Sequence, residues 1–152
     1  MKKETVLEML KFLGNIKLNK FPKELRTPIL LNYTSLNKIV KEFNVEVEDM
    51  QKKMFEGKEE DIQKLVGYRE ELINEKDNSK KTEIVEKIKA ECLDVLILEQ
   101  ELNNVYYKKL QETVDLKVEK ISLNSFIEAC SENDIDITPD MLIKLEELFK
   151  NE

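Results

Sequence analysis

A chain of 152 residues is long enough to bury a core without disulfides or a metal, and a single domain over 1–152 is the expectation. With 41% hydrophobic and 38% charged residues but only 3 Gly and 3 Pro, the composition argues against disorder and for long amphipathic helices rather than sandwiches or βαβ units. The formal net charge is −7 and there is no histidine, which removes the commonest general base, the Ser-His and Cys-His nucleophile pairs, and most zinc and iron sites.

The first predicted element is a short helix over 3–13. Val6, Met9, Leu10 and Leu13 share one face, and Gly14 marks the stop. Ile16 and Leu18 alternate with polar neighbours, so a few residues of strand at 15–19 are expected before Phe21-Pro22. From about 22 to 55 the spacing is the most regular in the chain. Ile29, Tyr33, Leu36, Val40, Phe43, Val47, Met50 and Met54 recur at 4, 3, 4, 3, 4, 3 and 4 residues, a coiled-coil seam. Pro22 suits the first turn, and Pro28 either kinks the start or marks it. The seam would serve either an intramolecular core or a homodimer.

A third helix is expected from about 58 to 75, with Ile62, Leu65, Val66, Leu72 and Ile73 inward. After the polar turn Lys76 to Lys80, Thr82 is the predicted N-cap of a long helix over 82–111. Val85, Ile88, Cys92, Val95, Leu98, Leu102 and Val105 give that helix an apolar face. Ile84, Leu93, Leu96, Tyr106 and Leu110 broaden the face enough for more than one neighbour.

The C-terminal part, about 113–152, reads as α+β. Val114, Leu116 and Val118 alternate with Asp115, Lys117 and Glu119, the pattern of a half-buried strand. Its partners would be 15–19 and Ile135-Asp136-Ile137, making a two- or three-stranded ribbon. Ser122 or Asn124 should cap a short helix through Ala129, and Thr138-Pro139 should open the last helix with Leu142, Leu145, Leu148 and Phe149 inward. The predicted class is therefore mainly α: an antiparallel helical bundle or coiled-coil hairpin carrying a small β ribbon.

Chemistry is sparse. Gly14, Gly57 and Gly67 are isolated, so no phosphate-binding loop is spelled out. Cys92 and Cys130 lack metal-ligand spacing and read as small reduced hydrophobes. Asp134, Asp136, Thr138 and Asp140 imitate the start of a calcium loop, but its sixth position is Pro139 and its twelfth Leu145, where Gly and Glu are required. No catalytic residue, cofactor or metal is expected. Met1-Lys2-Lys3 runs straight into Glu4 without an apolar leader, so a cytoplasmic protein is expected and the Asn32-Tyr33-Thr34 sequon carries no meaning.

Charge is unevenly spread along the chain. Residues 1–28 hold seven Lys/Arg against three Asp/Glu, and residues 122–152 hold two against eight. The basic segment (Lys11, Lys17, Lys20, Lys23, Arg26, with Phe12 or Phe21 to stack) makes only a weak case for direct nucleic-acid binding in an acidic chain. The acidic segment is the better candidate for a protein partner. Asp134, Asp136, Asp140, Glu146 and Glu147 are its expected contact residues, with Thr138-Pro139 holding the helix start rigid. For Asp140 the positive end of the helix dipole is an equally good reason to be there.

The layout resembles a family of short phage-encoded proteins of unknown function. The matching stretches are Ile16-Lys17-Leu18 with Phe21-Pro22, Leu30 to Val40, and Val114-Asp115-Leu116 with Ile121. Ile135-Asp136-Ile137-Thr138-Pro139 and the last helix complete them. The resemblance implies a phage or prophage origin, a bacterial host cytoplasm and no assigned activity. Two functions are then expected to compete. One is a non-enzymatic inhibitor of a host protein, such as a nucleic-acid-binding defence enzyme (a CRISPR nuclease, for example). The other is an assembly chaperone or minor structural protein using the coiled-coil face. An enzyme subunit would need its chemistry from a partner.

Overall fold

A computed structural model describes residues 1–150, in which helical spacing has produced helices almost throughout. They are α1 (Lys3–Gly14), α2 (Lys23–Met54), α3 (Glu59–Asn74), α4 (Asn78–Glu91), α5 (Leu93–Leu110), α6 (Leu123–Glu132) and α7 (Pro139–Lys144). The contacts within the chain gather into two compact units. Met1–Asn44 joins the chain from Lys109 on, and Val45–Lys108 forms the second unit. The boundaries fall inside α2 and α5.

In the first unit, α1 buries Val6, Met9 and Leu13, while α2 contributes Leu25, Ile29 and Leu36. Ile121, Phe126, Ala129, Cys130, Leu145, Leu148 and Phe149 close this core from the C-terminal side. Phe126 is fully buried among three rings, with centroids 6.2 Å from Phe12, 6.2 Å from Phe21 and 5.5 Å from Phe149. Tilted packing at these separations suits the ring quadrupoles. Pro22 lies just before α2, its carbonyl accepting from the Leu25 and Arg26 N–H groups, and Pro28 is carried inside the helix. Ser122 caps α6 and Thr138 caps α7, with Pro139 in the first turn.

The seam of α2 is buried unevenly. Ile29, Leu36 and Phe43 are buried, whereas Tyr33, Val40, Val47, Met50 and Met54 are half-buried. Asn32, not Tyr33, takes the fully inward position between Ile29 and Leu36. The first half of the seam is thus an intramolecular core.

The predicted β ribbon does not form among the described residues. Among the described residues there are only two isolated bridges, Lys2 with Thr113 and Ile121 with Phe149. Residues 15–19 run into a 3-10 turn at Leu18–Lys20, and 135–138 are irregular. Residues 114–118 have the expected sidedness, with Val114, Leu116 and Val118 half-buried and Asp115 and Lys117 exposed. They lie extended without a strand beside them. A period of two fixes where side chains point and leaves open who satisfies the backbone. Here the partners come singly: the Val114 N–H donates to the Met1 carbonyl (2.8 Å), and the Ile121 N–H to the Leu148 carbonyl (2.8 Å).

The second unit has a thin core in which Leu65, Cys92 and Val95 are buried, flanked by Phe55, Ile62, Tyr68, Ile88 and Leu96. The helix expected over 82–111 is two helices, interrupted at Cys92 (φ −123°, ψ 15°). No Pro or Gly signals that break. The first of them starts earlier than Thr82, because the Asp77 carboxylate caps it by accepting from the Ser79 and Lys80 N–H groups. On α3, Val66 and Ile73 face solvent, contrary to the inward expectation, while Leu65 is buried and Ile62 and Leu72 are half-buried. Ion pairs supplement the core: Arg69 of α3 grips Glu99 of α5 with two bonds (2.9 and 2.6 Å), and Lys58 meets Asp94 at 3.2 Å.

Candidate protein-interaction surface

The five carboxylates expected to meet a partner all lie in the first unit, and all are exposed. Their local settings differ. Asp134 ends the turn after α6 with φ 54°, a left-handed conformation that Asp tolerates better than most residues. Asp136 follows in the irregular stretch, and Asp140 occupies the first turn of α7, behind the Thr138 cap. Glu146 and Glu147 begin a 3-10 turn at Glu146–Leu148.

Two of the five are already engaged. Asp140 pairs with Lys144 at 3.2 Å, and that ammonium also reaches Glu8 of α1 at 3.0 Å. Those two carboxylates hold the Lys144 pKa above its ordinary value, Glu8 more than Asp140. Glu147 forms a long ion pair with Lys120 (3.9 Å), whose Nζ donates to the Glu147 carbonyl. Asp134, Asp136 and Glu146 have no side-chain partner among the described residues. Beside Asp140 lies a cleft of about 270 Å³ between α1 and α7, with Phe12, Met141 and Leu145 for its apolar lining and Glu8, Lys11, Asn15 and Lys144 around them.

The basic N-terminal segment belongs to the same unit. The first unit holds 14 Lys/Arg and 15 Asp/Glu in sequence, a net −1, while the second holds 11 and 17, a net −6. Charge blocks that look opposed along the chain therefore nearly cancel within one folded unit. Phe21 is fully buried and offers no stacking face, while Phe12 is half-buried, packed on Phe126 on one side and lining the cleft on the other. Arg26 is occupied in fixing the turn ahead of α2, donating to the carbonyls of Phe21 and Asn19.

Both cysteines are buried, and burial pushes the Cys130 thiol up to about 11 and raises Cys92 as well. A high pKa makes a thiol a poor nucleophile at neutral pH. Among the described residues no cluster of His, Cys, Asp or Glu is arranged to hold a metal, and no helix is long and apolar enough to cross a membrane. Comparison with family models, with curated proteins and with solved structures returns no match for this chain.

Proposed function

We propose that this is a non-enzymatic, phage- or prophage-encoded binding protein that inhibits a host protein by direct contact, its C-terminal acidic segment meeting a basic surface. The observation that carries the reading is the trio Asp134, Asp136 and Glu146, exposed and without side-chain partners among the described residues, in a segment whose helix α7 also borders a cleft with an apolar lining. Unpaired carboxylates on either side of a short capped helix can compete for a basic channel by the electrostatics that the channel uses for phosphate. The apolar cleft would take an anchoring side chain, as hot spots in interfaces do. The resemblance of stretches such as Ile16-Lys17-Leu18 and Ile135-Asp136-Ile137-Thr138-Pro139 to short phage-encoded proteins supports the origin.

The second reading is an assembly or structural protein that pairs with a partner helix through the coiled-coil face of α2. It draws on the second half of the α2 seam, where Val47, Met50 and Met54 are only half-buried, as are Leu98, Leu102 and Val105 of α5.

The test begins with capture of the partner from a bacterial lysate and measurement of its affinity at two salt concentrations. Reversal of Asp134, Asp136 and Glu146 to Lys should weaken binding at least tenfold, and the affinity should fall as salt screens the contact. Reversal of Glu59, Glu60 and Asp61, on the more acidic unit, should change it little. Equal losses from the two triple variants, or binding indifferent to salt, would remove the acidic segment and leave the coiled-coil face of α2 as the contact.

A further inference from the structure

One face of α5 is covered by nothing in its own unit. Leu93, Ile97 and Tyr107 are 52%, 46% and 65% exposed, and Gln100 and Asn104 between them are exposed too. These five positions step by 4, 3, 4 and 3 residues, so they form one stripe at coiled-coil spacing. None is charged, in a chain where 38% of residues are. The inward face of the helix is a different one, carrying Val95, Leu102 and Glu99 with its Arg69 partner. Along one flank of the stripe, seven residues apart, stand Asp94, Glu101 and Lys108; the other flank carries Leu96 and Asn103.

We propose that this stripe is a self-association surface on which two copies of the chain pair α5 against α5, antiparallel, about a twofold axis. The flanking charges choose both the occupant and the direction. In an antiparallel pair like flanks face each other, which brings Asp94 of each copy to Lys108 of the other, twice by symmetry. A parallel pair would set that flank against Leu96 and Asn103 and gain nothing. In the antiparallel register Ile97 packs on Tyr107 of the second copy, and Gln100 meets Asn104 in a hydrogen-bonded polar layer. Such a layer fixes register at some cost in stability. Glu101 falls near the axis, close to its own copy, and repels it. Asp94 can take part because its side chain stays 75% exposed while it pairs with Lys58. A single helix pair lies at the small end of stable interfaces, and the net −6 of the unit opposes it. The dissociation constant should therefore be about 10–100 µM.

Sedimentation of the full chain from about 5 to about 500 µM tests this directly across that affinity range. The mass should move from one chain to two. Ile97→Glu should hold the protein monomeric throughout, and Glu101→Gln should raise the dimer fraction. Lys108→Glu should weaken pairing, and adding Asp94→Lys should restore it. Every substituted position is exposed, so the helical circular dichroism should not change, and this check separates lost pairing from lost fold. A wild type that stays monomeric at the highest concentration overturns the proposal. So does a dimer that survives both Ile97→Glu and Tyr107→Glu. Failure of the charge swap to restore pairing overturns the antiparallel arrangement.

Discussion

The side chain of Asn32 and the backbone of Glu119 exchange two hydrogen bonds. Nδ2 donates to the Glu119 carbonyl at 2.8 Å, and the Glu119 N–H donates to Oδ1 at 2.7 Å. An amide side chain here does what a neighbouring strand would have done. It also explains how a residue 1% exposed on an apolar helix face is tolerated, since all that it buries is paired.

Replacing Asn32 by Leu should destabilise the protein by about 2–4 kcal/mol, because two backbone groups lose their partner and each orphan costs about 1–3 kcal/mol if water cannot reach it. Urea unfolding of the two proteins measures the difference. An unchanged midpoint would mean that water replaces the amide at Glu119.

Phe43→Ala should cost about 3–5 kcal/mol, the usual range for deleting a buried ring. Phe43 is 3% exposed within one chain and has the Lys3 ammonium 5.4 Å from its ring centre. The loss should therefore be the same at low and high protein concentration, and Val47→Ala, at a half-buried position, should cost less. Thermal melts over a range of concentrations check both. A loss that grows with concentration would place Phe43 in an interface between copies instead.

The inward register of α2 was legible only in part. Spacing of 4 and 3 fits Ile29, Tyr33 and Leu36, and it fits Leu25, Ile29, Asn32 and Leu36 equally well. Apolarity picks Tyr33, whereas packing and the backbone of Glu119 pick Asn32. The sequence signal was a polar residue in register with the stripe. The caps of α6 and α7 were readable because their causes are local: Ser122, Thr138 and Pro139 act within one turn, whereas Thr82 was the expected cap of α4 and Asp77 is the one that forms it. The lone extended segment after Thr113 depends on a distant neighbour, Met1, so periodicity could not show it, and no residue in the sequence signals the break at Cys92. The candidate acidic segment was legible as charge, but its near-neutral surroundings depend on the folding together of the first 44 residues with the last 44.

Iodoacetamide should leave Cys92 and Cys130 unmodified in the folded protein at neutral pH and label both after unfolding. Burial raises both thiols, so the folded state holds them neutral. The Cys130 contribution to stability is complete below the unfolded pKa near 9 and is lost as pH rises through about 11. Denaturation midpoints should fall over that window, and Cys130→Ala should make the fall shallower. Rapid labelling of native protein would contradict the burial.

The turn between α3 and α4 should be sensitive to acid. Glu75 accepts from the Asp77 and Lys76 N–H groups at 2.9 and 2.7 Å, and these bonds hold its carboxyl below the ordinary range. A depressed carboxyl contributes stability above its unfolded pKa and loses it as pH falls through the folded one. Glu75→Gln should therefore reduce the acid dependence of stability below about pH 4.5. Asp77→Ala, which removes the cap of α4, should cost about 1 kcal/mol at neutral pH. Urea titrations at several pH values read both effects.

The core of the first unit draws on both ends of the chain, and this sets an order on its completion during synthesis. The stretch 45–108 is contiguous and can gather its contacts as soon as it has emerged from the ribosome. The apolar face of α1 must wait for Ile121, Phe126, Leu145, Leu148 and Phe149, and until then α2 is the main cover available to it. A long loop closure precedes the last packing step. Premature termination in the final thirty residues would accordingly strip the core from α1 and α2, the helices made first, and leave the middle of the chain with its own core residues in place.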